Sequence, residues 1–291
     1  MTPPSLFDTH LLPARWRRAH GLGFAGGADF LHRAAAASLS ERLDDITRSF
    51  EDALVLGPVA SLAKNPAAKA IKARTGTRVV NTAAPLPDTL QLAEESHDLA
   101  ISLMLLHWAN DPVGHLIQLR RALRPDGLAL VALLGGQTLT ELRMALAEAE
   151  TEMAGGLSPR VAPMGEIRDL GGLVQRAGLA MPVADSDRLQ VTYPSALDLM
   201  RDLRAMSETN ILSARAKGMM RRDMLARTAE IYAHHFPAEG GRVRATFEIV
   251  YLTGWAPGPD QPKPLRPGSA KARLADALGT MEHPAGDKTG R

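Results

Sequence analysis

The sequence predicts an α/β fold built on a mostly parallel sheet, on three observations. The apolar runs Leu99–Leu106 and Leu128–Leu134 are continuous rather than alternating, as in strands buried on both faces. Segments with helical spacing lie between such runs, and strand–helix–strand alternation is how parallel sheets are built. The chain has 291 residues, 45% of them hydrophobic and 23% charged, enough to bury a sizeable core.

In chain order, residues 1–28 contain Pro, Arg and Gly around a WRRAH stretch and read as a loosely held arm with one short helix. Residues 29–256 read as the main domain, opened by a helix over Ala28–Ile46, whose Ala run favours that state. Ala53–Gly57 is a first strand ending in glycine, Leu62–Gly76 a helix with Pro66 in its first turn, and Arg78–Thr82 a second strand. The run HDLAISLML is a buried third strand. DPVGHLIQLRRALRPDG is a helix stopped at Pro125–Gly127, and LALVALLGG a fourth strand. A helical insertion is expected over about 138–236, although Asp187–Pro194 reads as a strand. Together with Ala245–Trp255, rich in strong β-formers, it suits an antiparallel edge. Residues 257–291 are rich in Pro and Gly and read as a tail without its own core, disordered by composition.

Composition excludes several functions. There is no cysteine, so disulfides, thiolate metal sites and cysteine nucleophiles are ruled out. The formal net charge is +2, which argues against nucleic acid as the main ligand. No apolar run approaches the roughly 18–20 residues of a membrane span, and no secretory leader is visible. A cytoplasmic location is therefore expected. The nine histidines show no His-x-Asp or His-x-Glu pattern, and adjacent His234 and His235 would point about 100° apart on a helix. No metal is expected.

Open α/β sheets bind ligands at the carboxyl ends of their strands. The first such turn reads ALVLGPVASLA, with Gly57 alone where a cofactor loop would cluster glycines; a tight strand-to-helix turn is the ordinary account. His107 and Trp108 follow the third strand and face the expected cleft, His107 as an acid or base and Trp108 as a wall. Corner packing and a capped hydrogen bond are the structural alternatives. Asn110 and Asp111 before Pro112 are expected to cap a helix. Gly135 and Gly136 end the fourth strand, and Thr138 with Glu141 has capping-box spacing. Arg143 is a candidate for a carboxylate substrate, or a solvated arginine. Arg215–Leu225 mixes basic residues with methionines and would meet an acidic or membrane-associated partner, if it is not simply a solvated helix.

The segments LHWANDP, GGQTLTELR and Glu150–Gly156 leading to SPRVAP, with QVTYPSALDLMRDLRAMSETN and ATFEIVYLTGW, resemble the assembly factor 5 family of NADH:ubiquinone oxidoreductase, respiratory complex I. That family lies within the S-adenosylmethionine-dependent methyltransferase superfamily, and the likeness covers roughly residues 5 to 275. A malonyl-carrier-protein methyltransferase is a more distant likeness. The resemblance implies a Rossmann-like class I methyltransferase fold and S-adenosylmethionine as ligand. It implies a complex I client, the iron–sulfur subunit near the quinone site, peripheral inner-membrane association, and arginine hydroxylation as an assigned activity. It places cofactor contacts at Gly57, Asn81, Leu105, His107 and Trp108, and substrate or client contacts at Gly135, Gly136, Thr138 and Arg143. Val55 stands where the family has an acid, and Pro58, Val59 and Ser61 stand near or at its glycines. The acid that usually holds the ribose has no clear counterpart, Asn81 being the nearest candidate and a weaker one, and the stretch between Thr82 and Asp98 is too short for the family's usual helix, third strand and adenine-contacting loop. A degenerate cofactor site on a non-catalytic assembly factor is thus one expectation. An active methyltransferase acting on a protein or small carboxylate, or an arginine hydroxylase, is the alternative.

Overall fold

A computed structural model describes residues 5–21, 27–57, 75–82, 88–261 and 279–280. The chain divides into Met1–Gly258 and Pro259–Arg291; the sheet and its cores belong to the first unit. The seven-stranded sheet runs β2 (Thr75–Thr82), β1 (Phe50–Leu56), β3 (His97–Leu103), β4 (Leu123–Leu134), β7 (Arg242–Trp255), β5 (Ala180–Tyr193), with β6 (Pro237–Ala238) on β7. β2, β1, β3 and β4 are parallel, and β7 is antiparallel to both β4 and β5. This is the mostly parallel sheet with an antiparallel edge that the apolar runs predicted.

Side chains alternate across the sheet, so each face has its own core. Val55, Ile101, Leu130 and Phe247 point to one face, covered by α2 (Phe30–Asp44), α4 (Thr140–Ala154), α6 (Ala196–Ala205) and α7 (Arg222–His235). Leu54, Ala100, Val131 and Leu252 point to the other, covered by α3 (Pro112–Ala122) and α5 (Ile167–Arg176). A third cluster, beside the turn that follows β3, joins Phe7, Trp108, Ile211 and Leu212 with Leu12 and Trp16 of α1 (Leu12–Gly21). No helix among the described residues is long and apolar enough to cross a membrane.

Several local expectations are corrected. β2 begins at Thr75, so Gly76 lies in a strand and stops no helix; residues 62–74 of that expected helix lie outside the described residues. α3 ends at Ala122 rather than at Pro125–Gly127, and β4 starts at once. Pairing on β3 then skips from Leu123 to Leu128, so Pro125 and Gly127 bulge out of the ladder. β5 is longer than Asp187–Pro194 because it pairs along nearly the whole of β7. Asp111 does cap α3, accepting from the Gly114 amide at 2.8 Å, with Pro112 in the first turn.

The Thr138–Glu141 capping box does not form. Leu139 adopts a left-handed conformation and α4 begins only at Thr140. Thr138 Oγ1 instead donates to the Glu248 carbonyl and accepts from the Glu248 amide, both at 3.1 Å. The buried Glu141 carboxylate accepts from the Thr246 amide at 3.1 Å and its hydroxyl at 2.5 Å. Partners on β7 outcompete local capping. Glu141→Ala strands both donors in the core and is expected to cost about 1–3 kcal/mol, read as a lower midpoint in urea unfolding.

Candidate functional site

The parallel strands end on one edge of the sheet, and there the chain builds a buried polar cluster. After β3, residues Leu106–Trp108 form a single 3-10 turn that buries His107 and Trp108. Trp108 packs edge-on to Phe7, ring centroids 5.5 Å apart. His107 Nε2 lies 3.0 Å from Oε2 of Glu208, which follows α6 in the loop after Ala205. The other Glu208 oxygen, Oε1, faces His32 Nε2 of α2 at 3.8 Å, beyond hydrogen-bond reach. It has no hydrogen-bond partner, nor have His107 Nδ1 and Ser207 Oγ. The three side chains are almost wholly buried.

Burial alone would push the Glu208 carboxyl up, but His107 and then His32 more than compensate, and its pKa falls to about 2. The group is a carboxylate at every physiological pH. Because that value lies below the ordinary 4.5, its stabilisation is complete above about pH 4.5 and is lost as pH falls toward 2. The melting-temperature gap between the native chain and Glu208→Gln is therefore expected to close across that window.

His32, His107 and Glu208 are the residue types of a two-histidine, one-carboxylate iron site. The carboxylate, however, turns one oxygen to each ring, so the donors face one another rather than a shared vacant point. No group of three or more such residues among the described ones is arranged to hold a metal.

Glu208 and Trp108 line a cavity of about 440 Å³ whose other walls include Leu139, just before α4, Leu142 and Leu146 of α4, and Met200 and Leu203 of α6. Its polar members are Arg15, Arg160, Arg215, Lys217, Thr209 and Asn210. Arg160 is held by Glu150, which also fixes the Ser158 amide and hydroxyl. Arg15 Nη1 donates to the Thr209 carbonyl and hydroxyl, both at 2.5 Å. His107 lines a second, smaller cavity of about 220 Å³ with Phe7 and Met164. The His107–Glu208 pair thus stands between two hollows that share Leu134 and Met164.

The expected residues divide between this cluster and the sheet. His107 and Trp108 are in it. Leu105 is buried in the core covered by α3 and α5. Gly57 ends β1 with φ +120°, and a Cβ there would lie 2.2 Å from the Leu103 carbonyl oxygen. Close approach of β1 to β3 therefore explains the glycine. Asn81 pairs in register with Val55, itself buried in the core, and Gly57 does not line the cavity. Pro58, Val59 and Ser61 lie outside the described residues. The Gly135 amide donates to the Glu248 carbonyl at 2.8 Å, and the Gly136 Cβ space is taken by the Glu166 carboxylate. Arg143 donates to the Ala162 carbonyl at 3.0 Å, fixing part of the cavity wall. Asn110 exchanges bonds with both backbone groups of Phe7, tying the N-terminal segment to the turn after β3. Sequence reasoning missed Glu208, His32 and Arg15. The SETN tetrapeptide Ser207–Asn210, polar and directly after an amphipathic helix, was their one visible trace.

Comparison with known proteins bears on this geometry. The family described as "Methyltransferase domain" matches residues 57–131. The chain is 35% identical over 263 residues to "Arginine-hydroxylase NDUFAF5, mitochondrial" of Danio rerio, covering 85% of this chain and 82% of that one. It is 35% identical over 283 residues to the Homo sapiens protein of the same name, covering 90% and 80%. A malonyl-[acyl-carrier protein] O-methyltransferase of Laribacter hongkongensis is 36% identical over 170 residues, 58% of this chain and 54% of its own.

Proposed function

Because this chain belongs to the NDUFAF5 family of methyltransferase-fold proteins, we propose that it acts on an arginine of a respiratory complex I subunit during assembly. The carrying observation is Glu208: an ionised, buried carboxylate, one oxygen of which accepts no hydrogen bond, in the wall of a largely apolar cavity. Such a hollow suits an arginine side chain, whose methylenes pack on Leu139, Leu142 and Met200 while its guanidinium pairs with the carboxylate. His107 keeps Glu208 charged and in place. The client is the iron–sulfur subunit near the quinone site, and the work is done on the cytoplasmic side of the membrane, in peripheral contact with it.

S-adenosylmethionine is the ligand the family fold supplies, and it would bind at the carboxyl ends of β1 and β2. The described residues there do not fit a firm grip on it. Gly57 is accounted for by Leu103, and Val55 puts an apolar side chain into the core. On this reading the cofactor site is a degenerate one. The relatives are named arginine-hydroxylases, and Glu208 supplies the arginine receptor rather than the oxidant.

The test is genetic. Deleting the gene should lower the amount of assembled complex I and its NADH:quinone activity, and the intact gene should restore both. Normal complex I in the deletion strain overturns the reading.

A further inference from the structure

The cavity that holds Glu208 carries an excess of the opposite charge. Among the described residues, four cations line it, Arg15, Arg160, Arg215 and Lys217, against the single carboxylate of Glu208. Arg160 is neutralised by Glu150, and Arg215 reaches Asp8 at 3.3 Å. The Arg15 guanidinium donates its hydrogen bonds to the neutral Thr209, and Lys217 is exposed. Arg15 is also crowded: burial first, then the guanidiniums of Arg18 and Arg215, with Arg204 last, lower its pKa to about 10, and Asp8 alone opposes them. A half-buried cation among like charges is held at a cost that an arriving anion would remove.

The basic residues also set a condition on what enters. A bare arginine approaching Glu208 meets Arg15, Arg215 and Lys217, and like charges disfavour encounter and docking. Arg15 is bonded to the residue that directly follows Glu208, so the negative receptor and the positive group lie side by side on one wall. Resting on the reading of Glu208 as arginine receptor, we propose that Arg15, with Arg215 and Lys217, forms an anion subsite that takes the carboxylate of an acidic residue close in sequence to the client's arginine. The site then reads a pair, arginine on Glu208 and acid on Arg15, and rejects arginines in neutral or basic surroundings.

The test uses the full chain and four capped peptides of equal length. Each carries one central Arg or citrulline, flanked two residues away on either side by Asp or by Asn. In low salt the Arg peptide with Asp is expected to bind about tenfold more tightly than the Arg peptide with Asn, about 1.4 kcal/mol, with the ratio shrinking as salt is raised. Arg15→Gln should bring the ratio close to one, and Arg15→Lys should keep part of it. The comparison of peptides on the native chain needs no variant to fold. An Asp-to-Asn ratio of one on the native chain, or a ratio untouched by Arg15→Gln, overturns the subsite. Free glutarate binding as tightly as the Asp peptide overturns its assignment to a client side chain. Arg and citrulline peptides binding alike while the Asp preference persists would leave the subsite standing and defeat the arginine reading.

Discussion

Glu208→Gln is expected to leave a folded protein that no longer supports complex I assembly. Glutamine keeps the shape of the side chain and a hydrogen bond to His107, so the core around His32 and Trp16 survives with a loss of about 1–3 kcal/mol. What disappears is the one negative charge that the described residues place in the cavity wall to attract a guanidinium. A charge-assisted bond of that kind contributes about 1.5–3 kcal/mol, so client affinity should fall by roughly 10- to 100-fold. The variant gene should fail to restore assembled complex I in the deletion strain, while the purified variant melts as a single cooperative unit. His107→Asn is expected to fail as well but less completely, since His32 still faces Glu208.

Gly57→Ala carries the largest effect on stability. At φ +120° an alanine is strained whatever its surroundings, and its Cβ would sit 2.2 Å from the Leu103 carbonyl oxygen. Backbone atoms cannot give way as a flexible side chain would, so β1 must move from β3, the strand it pairs with from Ala53 to Leu56. A cost above about 3 kcal/mol follows from strain and lost packing together, read as a shift of the urea midpoint at constant slope. A merely reduced affinity for S-adenosylmethionine at unchanged stability would show instead that the glycine serves the ligand.

Much of the fold could be read from the sequence because its signal is local. Alternate residues of β1, Val55 against Leu54, feed two cores, and burial on both sides is why the runs are unbroken. The errors came where distant partners overrode local spacing. Thr138 and Glu141 have the right interval for a cap, yet β7 offers Glu248 and Thr246. At the site, His107 and Trp108 were legible because they follow a strand directly and so fall at the binding edge. Glu208 stands 101 residues from His107, and Arg15 is 194 from Thr209. No periodicity or motif connects such residues; the sheet order and the packing of α1, α2 and α6 bring them together. The same distance hid the anion subsite, because the whole-chain charge of +2 conceals a local excess of cations around one cavity.

Glu208 as the receptor for a client arginine is tested most directly by a peptide pair. Isothermal titration of the native chain with the Asp-flanked Arg peptide and its citrulline counterpart compares a guanidinium with a neutral group of almost the same shape. The arginine form is expected to bind at least about tenfold more tightly, with the preference gone in Glu208→Gln. Equal binding of the two peptides by the native chain, or a preference that survives in Glu208→Gln, would contradict it.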